Sequence, residues 1–416
     1  MMLFFYNNLL IISLPILRLI ALFNPKLRVG LDGRKNWSSE INKIPKDRPV
    51  IWFHCASLGE FDQGLPLMNL IKFKNPSCQI VVTFFSPSGY MNYQKRNNPV
   101  DFALYLPFDT RSNSMDFLRQ LNPKIGFFVK YEFWPNFLNE AKNQRIPIFS
   151  VATILRSNQI YFKWYGGLFR NALKNVSFFF AQNNDTSNLL IRLGLQNYEI
   201  IGDTRFDRVL ENKKLFEQTK NNLDFDVFGI FLSNQKALIF GSSWSPEEQV
   251  LFSFLTENKS QKVILAPHNV SEKNIQSLQQ KFGENAVRFT SFENDFTNQQ
   301  VLILDTIGHL STAYSYGKVA FVGGGFSGSL HNILEPAVFG LPVFFGPKHA
   351  KFPEANEFMN RGIGFEIGSY QEFKIKLNEI ESELNSISKK TIEFVESQRG
   401  ASEKIIENQE VKNLLN

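Results

Sequence analysis

Short apolar runs that end in small or polar residues alternate with helix-patterned stretches along almost the whole chain. This alternation is the strongest constraint on the fold, because it calls for a parallel sheet covered by helices on both faces. In the first half the runs fall at 50–54, 79–84, 103–106, 125–129, 146–151, 178–181 and 199–201, with helical stretches such as 60–72, 112–121 and 137–144 between them. A polar, Lys- and Asn-rich stretch then interrupts the pattern, which restarts at 238–240 and continues at 262–265, 301–304, 319–322 and 343–345.

A chain of 416 residues exceeds one ordinary core, so two domains are expected. The fold class expected is α/β, with two facing Rossmann-like domains and an N-terminal membrane-associated helix. The boundaries read as 1–30 for that helix, 31–210 for the first domain, 211–236 for a linker, 237–380 for the second domain and 381–416 for a helical tail able to pack back across the first. The helix after 238–240 shows a start signal, with Ser245 as N-cap, Pro246 at the first position and Glu248 closing a capping box. Ligands in doubly wound sheets bind beyond the carboxyl ends of the strands, so an interdomain cleft is the expected site.

Residues 9–17 are apolar, Arg18 interrupts them, and 19–23 resume before Lys26, Arg28, Arg34 and Lys35. The run is short and broken against the roughly 20 residues a spanning helix needs. An interfacial helix or a marginal anchor with a basic flank fits better, and a buried first helix is the plainer alternative. The net charge of +6 suits either a soluble surface or attraction to anionic headgroups or a phosphorylated substrate. No stretch interleaves basic and aromatic residues as a nucleic-acid module does, so nucleic acid is not an expected partner. Cys55 and Cys78 form no CxxC pattern and read as buried free thiols.

Each notable motif of the second half follows a strand. These are Gly241-Ser242-Ser243-Trp244, Ala266-Pro267-His268, Asp305-Thr306-Ile307-Gly308-His309, Gly323-Gly324-Gly325 and Gly346-Pro347-Lys348-His349. Five loops at one sheet edge suffice to wrap a nucleotide. Glycines let backbone N–H groups approach an anion, and a helix beginning near His331 or Asn332 would direct its positive end at a phosphate. Glu335 suits a ribose diol. The purely structural alternative is that the glycines only permit tight packing. His331 and Glu335 stand four apart, yet no further ligands follow at metal spacing, so no metal is expected. His54, His268, His309 and His349 read as ordinary hydrogen-bonded histidines, with His268 and His349 weighted by their position in these loops.

In the first half, Ser57-Leu58-Gly59-Glu60 opens a helix, so Ser57 and Glu60 fit a capping box. The functional alternative makes Glu60 a general base. Glu132, in Tyr131-Glu132-Phe133-Trp134-Pro135-Asn136, either complements a helix N-terminus or, with its aromatic neighbours, contacts a sugar.

Taken together, the segments 54–60, 132–136, 202–207, 241–243, 305–308 and 323–336 resemble, in order, those of the 3-deoxy-D-manno-octulosonate (Kdo) transferases. The resemblance implies a GT-B glycosyltransferase that moves Kdo from CMP-Kdo to a lipid A precursor at the cytoplasmic face of the inner membrane, in contact with inner-membrane lipids. Glu60 would be the base of an inverting reaction. Acceptor contacts would come from Ser57, Gly59, Glu132, Trp134 and Asn136. Donor contacts would come from Gly241, Ser242, Ser243, Pro267, His268, Gly308, Gly323, Gly324, Gly325, His331, Asn332 and Glu335. No cofactor or metal beyond the CMP-Kdo substrate is implied. The chain departs from the family in two places: many members carry Pro-Arg-His at Pro267-His268, and an acidic residue at His309. Lys348 or Arg205 are candidates to supply the missing cation. A sugar-nucleotide epimerase and a membrane-tethered carbohydrate-binding protein remain the alternative readings.

Overall fold

The computed structural model describes residues 2–219, 226–292 and 298–415. The chain forms two compact units, one of residues 1–208 with 398–416 and one of residues 209–397. The stretch expected as a linker thus belongs to the second unit, apart from 220–225, which lie outside the described residues. The tail divides: residues up to 397 stay with the second unit, and those beyond join the first.

The first unit is built on seven parallel strands, β1 (Val50–Cys55), β2 (Gln79–Phe84), β3 (Phe102–Tyr105), β4 (Ile125–Val129), β5 (Ile148–Thr153), β6 (Phe178–Ala181) and β7 (Tyr198–Ile200), in the order β3-β2-β1-β4-β5-β6-β7. The second repeats the plan with β8 (Ala237–Ser243), β9 (Val263–Pro267), β10 (Ala286–Arg288), β11 (Val301–Ile303), β12 (Gly317–Val322), β13 (Val343–Phe345) and β14 (Gly364–Glu366), ordered β10-β11-β9-β8-β12-β13-β14. Strands such as β1, β2, β4 and β5 are buried at every position, as helices on both faces require. β10 and β14 are the strands that the alternation did not mark; at three residues each they sit at sheet edges.

Part of the large phenylalanine content forms ladders across the strands. Phe53 stacks on Phe127 at 4.9 Å, and Phe149 stacks on Phe180 at 6.2 Å. In the second unit Phe240 stacks on Phe321 at 5.2 Å and Phe321 on Phe344 at 6.4 Å. In-register parallel pairing places several of these rings side by side, Phe53 opposite Phe127 and Phe240 opposite Phe321 among them. Both cysteines are buried and free.

Three helices precede the first sheet, the last of them the short Trp37–Ile41. α1 (Met2–Ala21) is the one helix among the described residues long and apolar enough to cross a membrane by length and composition. It is followed by α2 (Pro25–Gly33), which Asn24 caps by accepting the Leu27 N–H at 3.0 Å. Near its amino end α1 is tethered to the first unit: Tyr6 donates to Asp109 at 2.9 Å, and Asn7 accepts from Asn136 at 2.9 Å. Phe4, Phe5, Leu9, Ile12, Ile16, Leu19 and Ile20 are exposed along the helix.

Two details correct the sequence reading. The helix Ser245–Glu257 has Trp244, not Ser245, as N-cap, and Glu247 rather than Glu248 accepts the cap N–H, at 3.0 Å. Near His331 there is no helix long enough to present a useful dipole, because Leu334–Ala337 is a single turn.

Candidate active site

In each sheet the strand order reverses at one point, between β1 and β4 in the first and between β8 and β12 in the second. Loops leaving the carboxyl ends of strands at such a point splay apart and leave room for a ligand. The sequence motifs fall there: Ser57–Glu60 after β1, Glu132–Asn136 after β4, Ser242–Trp244 at the end of β8, and the glycines after β12.

Ser57 is the N-cap of the helix Leu58–Lys74, and its Oγ accepts the Glu60 N–H at 3.4 Å. The Glu60 Oε2 in return accepts the Ser57 N–H at 3.2 Å and the Ala56 N–H. The capping box therefore forms, and it also fixes the carboxylate of a residue only 5% exposed. Burial raises the Glu60 pKa, opposed first by the charge of Lys130 and then by the two backbone donors. Glu132 is half-buried and raised to about 7, by burial first and then by the charge of Glu60, with Lys130 opposing. Lys130 is itself lowered by burial and held charged by Glu60. Two carboxyl groups of elevated pKa and one half-buried ammonium form an arrangement suited to proton transfer. Gly59 is exposed, and no atom lies within 4 Å of where a side chain would begin there.

Trp134 is set by a chain of buried groups. Its indole N–H donates to His54 Nε2 at 3.1 Å, and its ring stacks on Phe85 at 5.0 Å. An indole only donates, so His54 carries its proton on Nδ1, which meets Thr83 Oγ1 at 3.0 Å. Thr83 also accepts from Trp52 at 2.9 Å and donates to the Phe53 carbonyl at 3.3 Å. Burial lowers the His54 pKa to about 3, so the ring is neutral.

Asn136 does not join this group. It is 3% exposed, and its amide is bound to Asn7 at 2.9 Å and to the Asp109 carbonyl. Asp109 caps the helix Pro135–Asn143 by accepting the N–H groups of Asn136 and Phe137 at 3.1 and 2.9 Å. Asp109, Lys130 and the His54–Thr83 pair were not marked from the sequence. Lys130 follows directly on a strand, but a lone lysine at such a place carries no pattern.

In the second unit the donor-loop residues are knitted by their backbones. Gly323 N–H donates to Gly241 O at 2.9 Å, Gly324 N–H to Glu247 Oε1 at 2.9 Å, His268 N–H to Ser243 O at 2.9 Å and Lys348 N–H to Gly325 O at 2.7 Å. The expected cradle of glycine N–H groups is thereby corrected, since Gly323 and Gly324 already have acceptors. Their need for glycine is steric: a Cβ at Gly323 would stand 2.1 Å from Ser242 O, and one at Gly324, where φ is +89°, 2.1 Å from Ser329 O. Glu247, 1% exposed and not foreseen, joins Trp244 to the glycine loop.

Trp244 stacks on His268 at 4.3 Å, and His268 lies 4.7 Å from His331. The Trp244 indole donates to His331 Nε2 at 3.4 Å. Burial and His268 both lower the His331 pKa. Pro267 is buried and Ser243 bonds Glu248 at 3.2 Å, while Ser242 holds a left-handed φ of +52°. Asn332 donates to Glu335 at 3.2 Å and accepts the Leu334 N–H at 3.1 Å. Gly308, with φ +105°, stands exposed beside Ile307. Thr306 and His309 bond at 2.9 Å in the same loop, and His349 bonds Glu366 at 2.7 Å. Of the two cations considered for the missing arginine, Arg205 is paired with Asp203 at 2.7 Å in the first unit, whereas Lys348 is exposed beside the glycine loop. Among the described residues no three His, Cys, Asp or Glu side chains gather at metal-binding spacing.

Comparison with known proteins bears on the whole arrangement. Residues 31–208 match the family profile described as 3-deoxy-D-manno-octulosonic-acid transferase (kdotransferase). A bifunctional glycosyltransferase/methyltransferase of Fusobacterium nucleatum is 26% identical over 92% of this chain, which spans 59% of that relative. The 3-deoxy-D-manno-octulosonic acid transferases of Chlamydophila psittaci and Aquifex aeolicus are 28% and 27% identical over 77% and 80% of the chain, covering 75% and 86% of theirs. Among solved structures, a UDP-GlcNAc 2-epimerase from Neisseria meningitidis superposes with a TM-score of 0.64 at 15% identity, over 86% of this chain and 98% of that one. At that identity the likeness speaks for the fold alone, the GT-B plan of two Rossmann-like units. With relatives aligned through both units and the profile covering the residues around Glu60 and Glu132, the chain is similar along most of its length to the 3-deoxy-D-manno-octulosonic acid transferases, and its first unit matches their family profile.

Proposed function

We propose that this glycosyltransferase moves Kdo from CMP-Kdo to a lipid A precursor of the lipid IVA type, with inversion and with Glu60 as general base. The observation that carries the reading is the Glu60 carboxyl, fixed by its capping box at a strand-order switch point and raised in pKa by burial. Glu60 takes the proton of an acceptor hydroxyl as that oxygen bonds to the anomeric carbon of Kdo. The bond from that carbon to the phosphate oxygen breaks, and CMP departs with the electron pair. Glu132 and Trp134 hold the acceptor sugar, one by hydrogen bonding and the other by ring contact.

The leaving phosphate needs positive charge in the second unit. With Gly323 and Gly324 N–H groups committed and no long helix at hand, Lys348 is the side chain that supplies it, beside His331. A single phosphate is within reach of such groups without a metal. The ring cluster of Trp244, His268 and His331 forms an edge against which a planar base can lie. For location we propose the cytoplasmic face of the inner membrane, with α1 lying in the interface. A helix tethered by Tyr6 and Asn7 to a folded unit is poorly placed to cross a bilayer.

Glu60→Gln tests the base directly, because glutamine at the third helical position still closes the capping box. Transfer, followed by mass analysis of the lipid product, should fall by about 10²–10⁴-fold while CMP-Kdo binding persists. Near-normal turnover would remove Glu60 from the role. Lys348→Gln should raise the KM for CMP-Kdo roughly tenfold or more, the value of a charged hydrogen bond to phosphate. EDTA should leave turnover unchanged, and a strict divalent-ion requirement would refute the metal-free reading.

A further inference from the structure

At the carboxyl end of α1, the first unit contains a cavity of about 640 Å³. Leu14, Leu22, Leu31, Trp37 and Phe108 supply its apolar wall. Four cations, Arg18, Arg28, Arg34 and Lys35, line it against one carboxylate, Asp32. The four are not equivalent. Arg34 is 8% exposed and donates to the carbonyls of Leu106 at 2.9 Å, Gly30 at 2.6 Å and Phe85, so it builds the wall. Lys35 pairs with Asp32 at 2.6 Å. Arg18 and Arg28 are exposed, and among the described residues neither side chain has a hydrogen bond or ion pair.

Two open guanidinium groups at the mouth of an apolar-walled cavity match a phosphate, which each can grip with two parallel N–H donors. The uncovered residues Ile16, Leu19, Ile20 and Phe23 adjoin Arg18 along and just beyond α1. That apolar stripe calls for acyl chains rather than a free anion or an acidic peptide.

We propose that this cavity binds the phosphate headgroup of a bilayer phospholipid, with Arg18 and Arg28 on the phosphate and the acyl chains along the exposed side of α1. The site rests on the interfacial reading of α1 and not on the transfer chemistry. It also reaches toward the catalytic half: Arg34 lies over the rings of Phe108 and Phe85 at 5.1 and 4.6 Å, and Phe85 stacks on Trp134. A seated headgroup therefore braces the wall that backs Trp134.

The test uses the full chain and sedimentation with vesicles of phosphatidylcholine, alone or mixed with phosphatidylglycerol. Wild type should bind the mixed vesicles more tightly. Arg28→Gln and Lys26→Gln remove the same charge from the same short helix, but only Arg28 lines the cavity. Losing one charge near an anionic surface weakens binding by about fivefold, so Lys26→Gln should do no more than that, and Arg28→Gln and Arg18→Gln at least thirtyfold. Equal losses for Arg28→Gln and Lys26→Gln would overturn the site while leaving membrane contact intact. No binding of wild type to either vesicle would overturn both. In solution, calorimetry with dihexanoyl phosphatidate should give a single site that Arg18→Gln and Arg28→Gln abolish and that inorganic phosphate does not compete for. Displacement by inorganic phosphate at equal concentration would make it a free-anion site and sink the lipid assignment.

Discussion

At the scale of single residues, the proton chemistry of the first unit depends on a balance of burial and one cation. Burial is the largest cause of the rise at both Glu60 and Glu132, and Lys130 opposes it at each. A base must be deprotonated to act, so activity should fall as pH drops through the raised pKa of Glu60. Lys130→Met removes the opposing charge, which should move the acid limb of the kcat/KM profile to higher pH without abolishing turnover at alkaline pH. An unmoved limb would show that Lys130 does not act on the titrating group. His54 makes a stability prediction of definite sign. Its folded pKa, about 3, lies below the ordinary 6.5, so its contribution is full above 6.5 and is lost as pH falls toward 3. Glutamine can accept from Trp134 and donate to Thr83, but it cannot titrate. His54→Gln should therefore gain on wild type in urea midpoint between pH 6.5 and 4, and a constant difference would contradict the neutral, buried histidine. Of these residues, Glu60 was legible because a capping box has a fixed spacing. His54 was legible as a hydrogen-bonded histidine, but its partners Thr83 and Trp134 were not, and neither was Lys130, because these contacts join segments far apart in the sequence.

At the scale of elements, caps and close backbone approaches determine where the loops go. The alternation of apolar and helical stretches located most of the strands, since burial on both faces demands continuous apolar runs. It passed over β10 and β14, three-residue edge strands that each end in a charged residue, Arg288 and Glu366, and so leave no continuous apolar run. Ser245 with Glu248 and Trp244 with Glu247 both fit a capping spacing. The structure chooses the second, with Glu247 also taking the Gly324 N–H and Glu248 facing Ser243. Asn136 likewise was an acceptor contact that the family resemblance implies, whereas in the structure its amide is bound to Asn7 of α1 and to the Asp109 carbonyl. The triple glycine was legible as a special loop, but its reason is crowding by neighbouring carbonyls more than anion approach. Gly324→Ala should accordingly destabilise the second unit by more than about 2 kcal/mol, through the positive φ and a displaced Ser329 carbonyl. Thermal unfolding that matches wild type would refute this.

At the scale of the whole molecule, the chain leaves the first unit after residue 208 and returns to it at 398. The returning helices Ala401–Glu407 and Gln409–Leu415 are not an appendage. Ile405 and Val411 are fully buried and Ile406 and Leu415 nearly so, in one apolar cluster with Phe61, Leu65 and Met68 of the helix that Glu60 opens. Asp207 fixes the return by accepting the N–H groups of Gly400 and Ser402, each at 2.8 Å. Burying four aliphatic side chains stabilises by roughly 6–10 kcal/mol as an upper figure, comparable to the roughly 5–15 kcal/mol that holds an ordinary domain together. A chain stopped after Ser397 keeps every proposed catalytic and donor residue, yet it should lose the first unit's calorimetric transition while the second unit's survives. Asp207→Ala, which loosens the return without deleting it, should lower only the first transition, by several degrees. If the truncated chain kept both transitions at their wild-type temperatures, the tail would be decoration, and the helix carrying Glu60 would owe its position to the first 208 residues alone.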